Sequence, residues 1–85
     1  MFEYTIKFFK FLHKCNRYHI RLRSVKVYDE NICFHFAKQY FYGNNTYYFD
    51  DDHYFSFNTL CFDNERDLYD TLISEIYKVY NIKED

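Results

Sequence analysis

Eighty-five residues with a formal net charge of −2 set the size of one domain, read as spanning residues 1–85, large enough to fold without staples and too small for a second core. Aromatic residues are 26% of the chain, eleven Phe and eleven Tyr, against one Gly, one Ala, no Pro and no Trp, so the core is built from rings and β-branched side chains and strand is favoured. A single Gly leaves no glycine-rich loop to cradle phosphate or form an oxyanion hole, which argues against an enzyme.

Phe, Tyr, Asn, Ile and Lys supply 42 residues, the bias of an AT-rich coding sequence, and point to a low-GC genome, a phage or a mobile element. Cys15, Cys33 and Cys61 are odd in number, so a reducing, cytoplasmic setting is expected, the host cytoplasm for a phage protein. The apolar run at the start is broken by Lys7, Lys10 and Lys14 and reads as neither signal nor membrane span. Charge is lopsided: residues 1–42 carry eight Lys or Arg against three Asp or Glu, a net of +5, and residues 43–85 carry three against ten, a net of −7.

In chain order, residues 2–15 fit two templates. Phe2, Tyr4, Ile6 and Phe8 alternate as in a strand, but Glu3, Lys7, Lys10, Lys14 and Arg17 form a polar stripe at helical spacing, with Glu3 and Lys7 paired at i, i+4. The longer match predicts a helix that buries Ile6, Phe9, Leu12 and Cys15. Residues 18–28 read as a strand with Tyr18, Ile20 and Leu22 on one face; its phase shifts at Arg23 and Ser24 to Val25 and Val27, as a bulge requires. Asp29 to Asn31 make a turn, and a second strand runs from Ile32 to about Tyr42, with Cys33 and His35 facing away from Phe34 and Phe36.

Gly43-Asn44-Asn45 is a hairpin signal, because these residues tolerate positive φ. A third strand follows from Thr46; Asp50, Asp51 and Asp52 interrupt or bulge it, most simply as a solvated turn, and Tyr54 to Phe57 continue it or begin a fourth. Asn64 to Tyr80 show the clearest helical period. Leu68, Leu72, Ile73, Ile76, Val79 and Tyr80 form the apolar face and Asp67, Asp70 and Glu75 an acidic one, with Asp63 or Asn64 as cap. The expected architecture is α+β: an N-terminal helix, a three- to four-stranded antiparallel sheet and a C-terminal amphipathic helix.

His13, Cys15, Cys33 and His35 resemble two metal pairs, but one intervening residue in each is too few for zinc, so neither metal nor cofactor is expected. The Asp50–Asp52 run lacks the ligand spacing and Gly of a calcium loop. Tyr40, Tyr42, Tyr47 and Tyr48 flank the Gly43 turn and predict an exposed aromatic surface suited to a homodimer.

The helix, three strands and acidic final helix, with Tyr18-His19-Ile20-Arg21-Leu22 after a short amphipathic helix, resemble small phage anti-CRISPR proteins, particularly Cas9 inhibitors that present carboxylates where the effector expects DNA. That resemblance implies an inhibitor occupying a basic, nucleic-acid-binding surface of a larger partner, with Asp50, Asp51, Asp52, Asp67, Asp70 and Glu75 as its contact residues. The same order of elements is similar to the double-stranded-RNA-binding domain. The lysine positions of that family's last helix are here Glu65, Arg66, Asp67 and Asp70, of which the three carboxylates repel phosphate. The alternatives are nucleic-acid binding through Lys7, Lys10, Lys14, Arg17, Arg21 and Arg23, and a self-associating structural protein.

Overall fold

The computed structural model describes residues 2–83, and side chains from residue 5 onward; the expected Glu3–Lys7 pair lies outside the described side chains. Helix α1 (Phe2–Arg17) forms as the polar stripe indicates. Its buried stripe is Phe8, Phe11, Leu12 and Cys15, which recur at three- and four-residue steps. Ile6 and Phe9, expected inside, are 52% and 62% exposed on the opposite side. Both sides of α1 carry large apolar groups, and the side that meets Phe36 of the sheet and Tyr69 of the last helix takes the core.

Tyr18 and His19 close α1 rather than begin the sheet: their N–H groups bond back to the Cys15 and Asn16 carbonyls, and His19 turns the chain at φ 62°. Strands β1 (Ile20–Tyr28), β2 (Asn31–Phe41) and β3 (Tyr47–Asn58) then form one antiparallel sheet in the order β1-β2-β3. The phase shift in β1 is a bulge at Arg23, since Leu22 pairs with Phe36 and Ser24 with the next residue back, His35. Gly43 at φ 72° and Asn45 at φ 64° turn β2 into β3.

The three aspartates form neither a turn nor a strand break. Phe36 pairs with His53 and Lys38 with Asp50, so β3 holds one extra residue, and Asp51 takes it up at φ 55°. The bulge keeps β3 a single strand, leaving three strands among the described residues, and reverses its alternation. Phe55 and Phe57 face the core, whereas Tyr47 and Phe49 face the other way.

After a 3-10 turn at Thr59–Cys61, Asn64 caps α2 (Glu65–Val79), its side-chain oxygen accepting from the Asp67 N–H at 2.9 Å. Leu68, Leu72 and Ile76 are buried as expected, but Val79 is 43% exposed. The helix ends there in a Schellman arrangement: Asn81, at φ 56°, donates to the Lys78 carbonyl and Ile82 to that of Tyr77. This brings Ile82 into the core in place of Val79.

Both helices pack on one face of the sheet through rings, Phe11 on Phe36 at 6.5 Å and Tyr69 on Phe34 at 6.2 Å, and they meet each other through Phe8 and Tyr69 at 4.9 Å. Each fully buried ring or aliphatic side chain stabilises the fold by about 1.5–3 kcal/mol. No described element covers the second face of the sheet. No helix among the described residues is long and apolar enough to cross a membrane.

Candidate functional site

The uncovered sheet face is where antiparallel pairing gathers residues distant in sequence. Cys33 and His35 stand on it in β2, as their alternation with Phe34 and Phe36 predicts. His35 hydrogen-bonds the Asp52 carboxylate at 3.1 Å and stacks on Tyr54, its cross-strand neighbour, with centroids 4.4 Å apart and planes within 14°. Tyr54 keeps its outer side free and is 66% exposed. Cys33, His35 and Tyr54, together with Ser24, Lys26 and Tyr28 of β1, line a groove of about 370 Å³.

A second ring cluster lies toward the Gly43 hairpin. Phe41, Tyr47 and Phe49 contact one another at 6.2 and 5.7 Å, His19 meets Phe41 edge-on, and the Arg23 guanidinium sits 3.7 Å above the Phe49 ring. The β1 bulge at Arg23 gives that side chain its position beside β3's shifted face. At about 3.3 Å per residue, discounting the bulged position, Phe49 and Tyr54 are roughly 13 Å apart along β3.

The expected basic set is not one surface. Lys7 pairs with Asp70 at 3.0 Å, and Lys14 bonds the Lys83 carbonyl at 3.0 Å while lying over the Tyr77 ring, so both turn toward α2 and the C-terminal segment. Lys10 and Arg17 lie with Ile6, Phe9 and His13 on the outer side of α1. Arg21 holds the end of α1 through the Asn16 carbonyl and side chain, at 3.3 and 2.9 Å. Of this set, Arg23 contacts a ring of the open sheet face.

The acidic set also divides. Asp50 accepts from the Asp51 N–H and pairs across the strands with Lys38. Asp51 accepts from the Tyr40 hydroxyl through its carboxylate and from the Tyr80 hydroxyl through its carbonyl, at 2.7 Å for the latter. Asp67 and Glu75 are exposed on α2, and Asp70, expected on the solvent side, is half-buried beside Lys7. Tyr80 touches the bulge, and Asp67 lies thirteen residues before it, roughly 20 Å along the helix axis. The acids of α2's first turn and the acids of the bulge therefore occupy separate surfaces.

Of the tyrosines flanking the hairpin, Tyr42, Tyr47 and Tyr48 are exposed and Tyr40 is half-buried, and they divide between the two faces. Tyr40 stacks on Tyr48 at 5.3 Å and Tyr42 meets Tyr48 at 5.7 Å, while Tyr47 belongs to the opposite, open face. The hydrogen bond to Asp51 pushes the Tyr40 phenol up to about 12, with burial and the Asp50 and Asp51 charges adding to it. Burial, followed by Asp51 and Asp52, raises Tyr80, and burial raises Tyr69.

His13 is exposed and Cys15 sits in the core, where burial pushes its thiol up to about 12 against a smaller opposing effect of Lys14. Among the described residues no three His, Cys, Asp or Glu side chains converge as metal ligands. Sequence reasoning missed Ser24, Lys26, Tyr28, Phe41, Phe49 and Tyr54 as members of one surface. Their alternation was visible, but which residues adjoin across strands depends on the two bulges. No protein-family model, curated protein or solved structure matches this chain.

Proposed function

We propose that this chain is a non-catalytic binding protein whose working surface is the open sheet face, and that it holds single-stranded nucleic acid there. The observation that carries the reading is the pair of ring platforms, Tyr54 on His35 and Phe49 beneath Arg23, on a face that no described helix covers. The exposed Tyr54 ring and the Arg23 guanidinium plane held over the half-buried Phe49 each offer a stacking surface to a base, such a stack is worth about 1–3 kcal/mol, and neighbouring cations neutralise phosphates. Arg23 and Lys26 supply those cations, and Asp52, the carboxylate on this face, is already bonded to His35. The overall charge of −2 does not oppose this, because salt screens charges more than about 10 Å away at 0.1 M ionic strength.

Fluorescence anisotropy of a labelled twelve-nucleotide single strand at 50 mM salt tests the reading. Binding is expected to weaken at least tenfold in Tyr54→Ala and in Phe49→Ala, and to fall as salt rises. Absence of binding at 50 mM salt, or binding indifferent to both substitutions, refutes it.

A second reading keeps the inhibitor expected from the anti-CRISPR resemblance. Exposed Asp50, Asp67 and Glu75 favour it, as charge that a basic protein surface would meet. Here the exposed Tyr42, Tyr47 and Tyr48 serve partner contact or a homodimer. Sedimentation at micromolar concentration should then give twice the monomer mass, and Tyr42→Ser with Tyr48→Ser should return it to one; a monomer at about 100 µM removes the dimer.

A further inference from the structure

Resting on the nucleic-acid reading, we infer that the groove lined by Ser24, Lys26, Tyr28, Cys33, His35 and Tyr54 is a subsite for one nucleotide unit, a planar base with its phosphate. Three features give the groove its selectivity. Its ends are aromatic: Tyr28 pairs with Asn31 at one end of β2, and the stacked His35–Tyr54 pair stands four residues along β2 at the other, roughly 13 Å away. Its floor, between those ends, is Cys33, half-buried and flanked across the strands by Lys26 and Ser56. One side carries the Lys26 ammonium and the Ser24 hydroxyl, a cation and a donor suited to phosphate oxygens.

The volume, about 370 Å³, falls in the range of small-molecule sites and holds a base, a sugar and one phosphate rather than a folded segment. His35 is not a loose ring. Asp52 fixes it from one side and Tyr54 lies parallel to it, so the end wall facing the groove is already in place before a base arrives. In this arrangement the base is held against the His35–Tyr54 end, Lys26 binds the phosphate, and the strand leaves toward Arg23 and Phe49. No bond is made or broken.

Other places in the molecule carry less. The outer side of α1 combines Ile6 and Phe9 with Lys10, His13 and Arg17, but nothing in the structure shows what covers it. The shallow site at the end of α2, lined by Ser74, Tyr77, Lys78, Asn81 and Ile82, has no opposing ring wall.

Calorimetric titration of the full chain with adenosine 5′-monophosphate, uridine 5′-monophosphate, adenosine and inorganic phosphate separates the contributions. Either nucleotide is expected to bind at least fivefold more tightly than both adenosine and phosphate. Lys26→Ala should remove most of the preference over adenosine, and Tyr54→Ala most of that over phosphate, with melting temperatures close to the parent. Tyr28→Phe, which keeps the ring, should retain nucleotide binding. Phosphate binding as tightly as the nucleotides, or nucleotide affinity unchanged in Lys26→Ala and Tyr54→Ala, overturns the subsite. If the twelve-nucleotide strand binds through Phe49 while mononucleotides do not bind, the subsite falls and the nucleic-acid reading stands; if neither binds, both fall.

Discussion

Asp51 shows how one residue can hold three elements. Its left-handed backbone creates the β3 bulge, its carboxylate takes the Tyr40 hydroxyl of β2, and its carbonyl takes the Tyr80 hydroxyl at the end of α2. The Tyr40 phenol, raised from 10 to about 12, works only while protonated. A folded-state value above the unfolded one means that this contribution is complete below pH 10 and is lost as pH rises toward 12. Thermal melts from pH 9 to 12 should therefore show a falling midpoint, and Asp51→Ala should flatten that dependence while lowering the midpoint at pH 9. Identical pH profiles for the two proteins would remove this role.

The thiols differ just as clearly. Cys61 is exposed, whereas Cys15 is buried in the core with its thiol held protonated at neutral pH. Disulfide-exchange labelling at pH 8 should modify Cys61 first and Cys15 only on unfolding. Cys15 labelling at the rate of Cys61 would contradict the burial.

At the scale of the element, the turns and caps were largely legible because each rests on local chemistry. Gly43 needs φ 72°, and a Cβ built there meets nothing within 4 Å, so Gly43→Ala should cost only the backbone strain, about 1 kcal/mol. Asn64→Ala removes the cap bond to Asp67 and should cost about 0.5–2 kcal/mol. Denaturant melts of the two variants check both figures. The β1 bulge was legible too, from the shift between Leu22 and Val25, because alternation with period two cannot hide an extra residue.

The β3 bulge was legible only in part. Three carboxylates signal exposure, and a turn and a bulge expose them equally well; which one forms depends on Phe55 and Phe57 reaching the core while β2 still pairs along its length. In α1 the number of phenylalanines hid the answer. With Phe8, Phe9 and Phe11 close together, two stripes were apolar, and α2 and the sheet selected the one containing Phe8 and Phe11. The candidate site was the least legible, since Lys26, His35 and Tyr54 become neighbours only through pairing register.

For the whole molecule, the sequence dipole translates into layers and not into one basic and one acidic side. The N-terminal cations are divided among the α2 contact, the outer side of α1 and the open sheet face, and the acids among the α2 surface and the bulge. Charge reversals on the two layers therefore separate the functional readings. Asp67 and Glu75 are exposed on the helical layer, so Asp67→Lys with Glu75→Lys should change stability by about 0–1 kcal/mol per site. They lie across the core from Lys26 and His35, and their removal should leave single-strand binding within about twofold at 0.15 M salt, where the Debye length is about 8 Å. Arg23→Glu with Lys26→Glu places two repulsive charges beside the proposed strand path and should abolish binding at the same salt, while lowering the salt slope of any residual binding. Anisotropy measured at 0.05, 0.15 and 0.3 M salt for both pairs decides the matter. Binding that survives unchanged in the Arg23 and Lys26 pair would take the strand off the open sheet face and overturn the proposed working surface.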